Sequence, residues 1–129
     1  MTAQVDRRAR MDLILVRDGP TCAWCGLDVS GRVPATTDHL VPRVKGGPSW
    51  LENEVAACRR CNRLRGHTSP ADWLAECERL GWTPDTARVV RVLDSLDTAI
   101  AHRGGARRAR AYLDAQRRRL AKRLGGPAE

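Results

Sequence analysis

Two C-x2-C pairs, Cys22 with Cys25 and Cys58 with Cys61, limit what this chain can fold into more than any other feature. Each such turn presents two thiolates to one ion, and two turns together complete the tetrahedral four-sulfur shell that zinc takes in closed structural sites. A shell filled by protein leaves no position for water, so a zinc there holds the fold and does no chemistry, contributing on the order of 10 kcal/mol or more as in zinc-finger peptides. The segment needs such a staple. Over the 50 residues from Pro20 to Ser69 it is rich in turn residues and carries only 11 Val, Leu and Trp side chains, too sparse a set for an unaided core. Disulfides belong to oxidising compartments. The short apolar cluster Met11–Val16 is interrupted by Asp12 and closed by Arg17 and Asp18 with no cleavage pattern, so a cytoplasmic chain with reduced thiols is expected. No apolar run reaches the length of a membrane span, and no membrane partner is expected. The fifth cysteine, Cys77, falls on the apolar face of a predicted helix and reads as a small core residue.

Around this core the pattern predicts one domain with flanking helices. Residues 1–19 read as an N-terminal helix with Val5, Ala9, Leu13 and Val16 on one stripe, stopped by Gly19-Pro20. Residues 20–69 are the stapled core. Residues 70–103 form a helical extension that starts at Ser69-Pro70-Ala71-Asp72 and again at Thr83-Pro84-Asp85. The first of these helices aligns Trp73, Leu74, Cys77 and Leu80, and the second Ala87, Val90, Leu93, Leu96 and Ile100. Residues 104–129 read as a basic helix or arm with the narrow apolar face Tyr112, Leu113, Leu120 and Leu124, expected to dock loosely or to order on a partner. The formal charge of +8 is distributed as +4 over residues 1–70, −3 over 71–101 and +7 over 102–129. That polarity points to a polyanionic partner, because Lys and Arg neutralise phosphates and release counterions. In a chain without Phe, the four tryptophans Trp24, Trp50, Trp73 and Trp82 read as core packing.

Between the knuckles runs Thr36-Thr37-Asp38-His39-Leu40-Val41-Pro42-Arg43-Val44-Lys45-Gly46-Gly47-Pro48, followed by Leu51-Glu52-Asn53-Glu54-Val55 and Ala57-Cys58-Arg59-Arg60-Cys61-Asn62-Arg63-Leu64-Arg65-Gly66. Over about residues 20–67 this order of elements resembles the HNH endonucleases that carry a zinc-stapled ββα-metal (His-Me finger) motif. The name's letters fall on His39, Asn53 and Asn62, so the chain resembles an HNN variant, with 14 residues from His39 to Asn53 and 9 from Asn53 to Asn62. The implied fold class is a small α+β ββα-metal motif with flanking α-helices.

The resemblance implies a metal-dependent endonuclease that hydrolyses DNA phosphodiester bonds and leaves a 5′ phosphate. His39 would be the general base, since a neutral imidazole accepts a proton at physiological pH. Asp38 and Asn62 offer hard oxygen ligands for one catalytic Mg²⁺ or Mn²⁺, and Asn53 would order the loop that carries His39. Arg43, Lys45, Arg63 and Arg65 are the expected phosphate contacts, with Arg59 and Arg60 nearby, and His67 reads as a solvated loop residue. Small HNH domains serve phage packaging, homing, restriction and toxin roles, which makes phage or mobile-element proteins candidate partners. The alternative is a catalytically silent zinc-stapled nucleic-acid-binding module, which needs the cysteines and arginines but has no use for a base beside a metal ligand.

Overall fold

Helix α1 (Arg7–Asp18) opens the chain, its first turn capped by the Asp6 side chain, which accepts from the Ala9 N–H at 2.9 Å. It belongs to a computed structural model that describes residues 5–125. The expected apolar stripe does not face the core: Leu13 and Val16 are exposed at 47% and 85%, while Arg10 and Ile14 turn inward with Met11 and Leu15 beside them. An ion pair fixes this rotation. Arg10 grips the fully buried Glu54 carboxylate with two bonds, Nε to Oε1 at 2.7 Å and Nη2 to Oε2 at 3.1 Å. Turning the helix to bury the stripe would strand that carboxylate, at a cost of about 3–5 kcal/mol, and expose Ile14 as well.

Strands β1 (Ala35–His39) and β2 (Glu54–Cys58) pair antiparallel, from Ala35 opposite Cys58 to His39 opposite Glu54. All five residues of β2 are buried, and α1 and helix α2 (Arg59–Arg65) pack against the sheet. The order strand, strand, helix is the expected α+β ββα arrangement. Its second cysteine knuckle is the β2–α2 junction itself, since Cys58 both ends the strand and precedes the first helical residue.

Helix α3 (Pro70–Arg79) starts where expected, with Ser69 Oγ accepting from the Asp72 N–H at 3.3 Å, and buries Trp73, Leu74 and Cys77. Leu80 lies past its last residue and is exposed. Helix α4 (Thr86–Arg103) is capped by Asp85 and buries Val89, Val92, Leu93, Leu96 and Ile100. Its first turn is therefore rotated from the expected stripe, with Val89 inward and Ala87 exposed. Trp24, Trp73 and Trp82 stack edge-on at 6.5 and 6.2 Å between successive ring centres.

The basic tail is not a loose arm. Helix α5 (Arg110–Gly125) buries Leu113, Gln116 and Leu120, with Ala109 buried just ahead of it. Gln116 Oε1 accepts from the Ala71 N–H at 2.9 Å, satisfying a donor that the first turn of α3 leaves free. Arg110 and Arg117 pair with Asp97 and Asp94 of α4, and Arg119 and Arg123 with Asp72 and Glu78 of α3. The acidic segment and the basic tail thus meet, and the narrow apolar seam is reinforced by charge. Among the described residues no helix is long and apolar enough to cross a membrane.

Candidate active site

The four knuckle cysteines converge, their sulfur atoms all lying within 4.8 Å of one another, and Cys25 Sγ sits 3.9 Å from Cys58 Sγ. A tetrahedral shell of bonds near 2.3 Å places sulfurs about 3.8 Å apart, so the donor set fits one zinc ion. Electrostatics agree. Cys61 holds the Cys22 thiol down to about 4 through a hydrogen bond, while burial pushes Cys25 up and the bond to Cys22 pushes Cys61 up. Four thiols this close cannot all ionise unless a cation is shared. Cys77 stands apart in the core, its thiol pushed up to about 12 by burial.

From β1 the chain enters a loop that Asn53 ties to itself. This fully buried side chain accepts from the Val41 N–H at 2.9 Å and donates to the carbonyls of Val41 and Pro48, both at 3.0 Å. The Leu40 N–H bonds the Asn53 carbonyl at 2.9 Å, so the loop is closed from side chain and backbone alike. Gly47 permits the closure, because a Cβ there would stand 1.8 Å from the Val41 carbonyl oxygen.

His39 ends β1 opposite Glu54. Its Nε2 lies 3.0 Å from Ser49 Oγ and 3.5 Å from Glu54 Oε2, and Nδ1 has no partner among the described residues. A carboxylate beside Nε2 favours the proton on that nitrogen and leaves the lone pair on Nδ1. Burial, and then the positive charges of Arg43, Arg10, Arg65 and Arg7, bring the imidazole down to about 4, so it is neutral at physiological pH. His39, Asp38 and Asn62 line one cavity of about 260 Å³ together with Thr37, Arg43 and His67.

Asn62, in α2, donates through Nδ2 to Thr36 Oγ1 and the Thr37 carbonyl, leaving its own oxygen uncommitted. Asp38 is 4% exposed, and each of its oxygens already accepts a bond, Oδ2 from Trp24 Nε1 and Oδ1 from Arg65 Nη1, both at 2.8 Å. Burial raises its carboxyl against the pull of Arg65. The buried Thr37 hydroxyl is without a partner among the described residues. Two hard oxygen ligands and an unsatisfied hydroxyl around one cavity fit a divalent cation that keeps part of its hydration shell.

Arg65 corrects the sequence reading. It is 1% exposed, and besides Asp38 it donates to the carbonyls of His39, Leu40 and Thr68 at 2.8–3.0 Å, so no donor is left for a phosphate. It is a buried bracket between α2 and the His39 loop. Arg43, Lys45 and Arg63 are exposed, as are Arg59 and Arg60, the last lying 4.6 Å over the Trp82 ring. Trp24 and Trp73 are core residues, and Trp50 and Trp82 are half-buried. Ser49, Glu54 and Arg10 escaped the sequence reading. Glu54 was detectable as an acid heading the otherwise apolar strand Glu54–Cys58, whereas Arg10 lies off the apolar stripe and gave no signal.

Comparison with known proteins agrees with this geometry. Residues 22–68, just over a third of the chain, match the HNH endonuclease family. The chain is 40% identical over 58 residues to the CRISPR-associated endonuclease Cas9 of Corynebacterium diphtheriae, covering 44% of this chain and 5% of that protein. It is 35% identical over 69 residues to the CRISPR-associated endonuclease Cas9 of Actinomyces naeslundii, covering 53% and 6%. The chain therefore spans about a twentieth of the length of the curated relatives it matches. No solved structure matches it. The convergent knuckles, the ββα order and the family match lead to one conclusion: residues 22–68 are a domain of the HNH endonuclease family.

Proposed function

We propose that this domain hydrolyses DNA phosphodiester bonds, with His39 as general base, one Mg²⁺ or Mn²⁺ held by Asp38 and Asn62, and a structural zinc held by Cys22, Cys25, Cys58 and Cys61. The observation that carries the reading is His39: a neutral imidazole, anchored through Nε2, that lines one cavity with both candidate oxygen ligands. Nδ1 takes the proton of an attacking water. Glu54, itself held by Arg10, then faces the positive imidazolium at 3.5 Å and stabilises it. Asn53 keeps the loop in register, so His39 meets the phosphate at a fixed distance. A bound divalent cation supplies charge neutralisation at the phosphoryl oxygen and the departing 3′ oxygen. DNA as the substrate is supported by the +8 charge and by relatives named as endonucleases.

One observation favours the second reading, a silent zinc-stapled nucleic-acid-binding module: Asp38 already serves Trp24 and Arg65, which leaves each of its oxygens one lone pair for a metal. Plasmid cleavage decides between them. With Mg²⁺ or Mn²⁺ the wild-type chain should nick or cut, a chelator too mild to strip the zinc should stop it, and His39→Ala should lower the rate by about 10²-fold or more while DNA binding and zinc content stay unchanged. Equal cleavage by His39→Ala would sink the nuclease reading.

A further inference from the structure

The cavity beside Asp38 is half of a longer groove. A second cavity of about 380 Å³ shares Thr37, His39 and Asn62 with it and continues toward α1, where Arg7, Arg8 and Met11 line it. The first cavity ends instead at Arg43, so the candidate base sits between two sets of guanidinium groups. Elsewhere the fold neutralises its arginines: Arg10, Arg88, Arg110, Arg117, Arg119 and Arg123 each pair with a carboxylate. Arg7, Arg8 and Arg43 are exposed and make no hydrogen bond or ion pair among the described residues.

We propose that one DNA strand lies along this groove, with Arg7 and Arg8 holding a backbone phosphate on one side of the cleaved bond and Arg43 holding one on the other. This rests on the nuclease reading for what happens at the centre, but the phosphate subsite on α1 stands on its own geometry and lies outside the residues that match the family. Contacts to phosphates carry no sequence information. They fix register, which a single base reaching one scissile phosphate requires. The rotation of α1 that buries Arg10 also determines which of its arginines reach the groove.

The test is duplex binding across a salt series by the His39→Ala chain, whose zinc content reports that it is folded. The parent is compared with Arg7→Gln/Arg8→Gln and with Arg118→Gln/Lys122→Gln, which removes the same charge from α5. The α1 pair should flatten the slope of log K against log salt by about 1.8, two phosphate contacts at 0.9 each, and the α5 pair should leave it nearly unchanged. In the chain with His39 intact, the α1 pair should raise KM more than it lowers kcat. An unchanged slope, an equal change for both pairs, or no DNA binding by the parent overturns the strand path. Absence of cleavage by the wild type overturns the nuclease reading instead and leaves the slope comparison readable.

Discussion

At the scale of single residues, the site is a neutral base surrounded by positive charge, and that arrangement sets its pH response. Because burial and Arg43 lower His39 from 6.5 to about 4, the unprotonated form persists as the solution is acidified. The acid limb of kcat/KM, which reports the free enzyme's base, should therefore fall near pH 4–5, and Arg43→Gln should move it upward. A limb at 6.5 that ignores Arg43→Gln would contradict this electrostatic account. The sign for stability is the reverse of that for a salt-bridged histidine. As pH falls from 6.5 toward 4, the unfolded chain takes up a proton that folded His39 refuses, so acid favours unfolding in that window. Arg65 makes a second point at this scale. Its position before a glycine at the end of a basic run resembles a phosphate contact in sequence, yet burial makes it structural. Arg65→Gln should cost about 3–5 kcal/mol by leaving Asp38 uncompensated, read as a lower denaturant midpoint. A stable Arg65→Gln chain with a flattened salt slope for DNA would restore the phosphate role.

At the scale of elements, the knuckles and the Asn53 loop do separate work. Cys58 and Cys61 fasten the end of β2 to α2, which presents Asn62. Cys58→Ser should lose the zinc and yield insoluble or unfolded protein, and freshly purified wild type with no bound zinc would refute the staple. The loop fails differently. Gly47→Ala drives a Cβ into the Val41 carbonyl and against Asn53 Nδ2. That chain should keep its zinc and its helices but lose most cleavage, and full activity would show that the loop is not held as described. These elements were legible in the sequence because their signals are short-range: two C-x2-C spacings, Ser69-Pro70 before a helix, Asp-His heading a Pro-Gly-Gly loop. The rotation of α1 was not legible, because a partner 44 residues away, Glu54, decides it. An apolar stripe reports where burial would be favourable, but here Leu13 and Val16 remain outside so that a buried charge is satisfied.

At the scale of the whole molecule, the distribution of charge that suggested a free nucleic-acid-binding tail has an internal explanation. The acids of α3 and α4 meet the arginines of α5, which leaves the groove arginines near His39 as the exposed cations beside the candidate base. Ion pairs this exposed contribute only about 0–1 kcal/mol each, whereas burying Leu113 and Leu120 contributes about 1.5–3 kcal/mol apiece. The sum approaches the 5–15 kcal/mol that holds a small domain together, so deletion from Gly104 onward should melt the fold rather than merely weaken DNA binding. Leu113→Ala is the graded version and should cost about 2–5 kcal/mol with the salt slope for DNA intact. Arg110 and Arg119 hold Asp97 and Asp72 below the usual carboxylate range. Their contribution is present above pH 3.8, is lost as the pH falls through the lowered values, and is screened by salt. Thermal melts of full-length and truncated chains at pH 7 and pH 3 test both parts. A truncated chain with an unchanged midpoint and a flattened salt slope would show that α5 is a nucleic-acid arm after all, and that its contacts with α3 and α4 give way when DNA is offered.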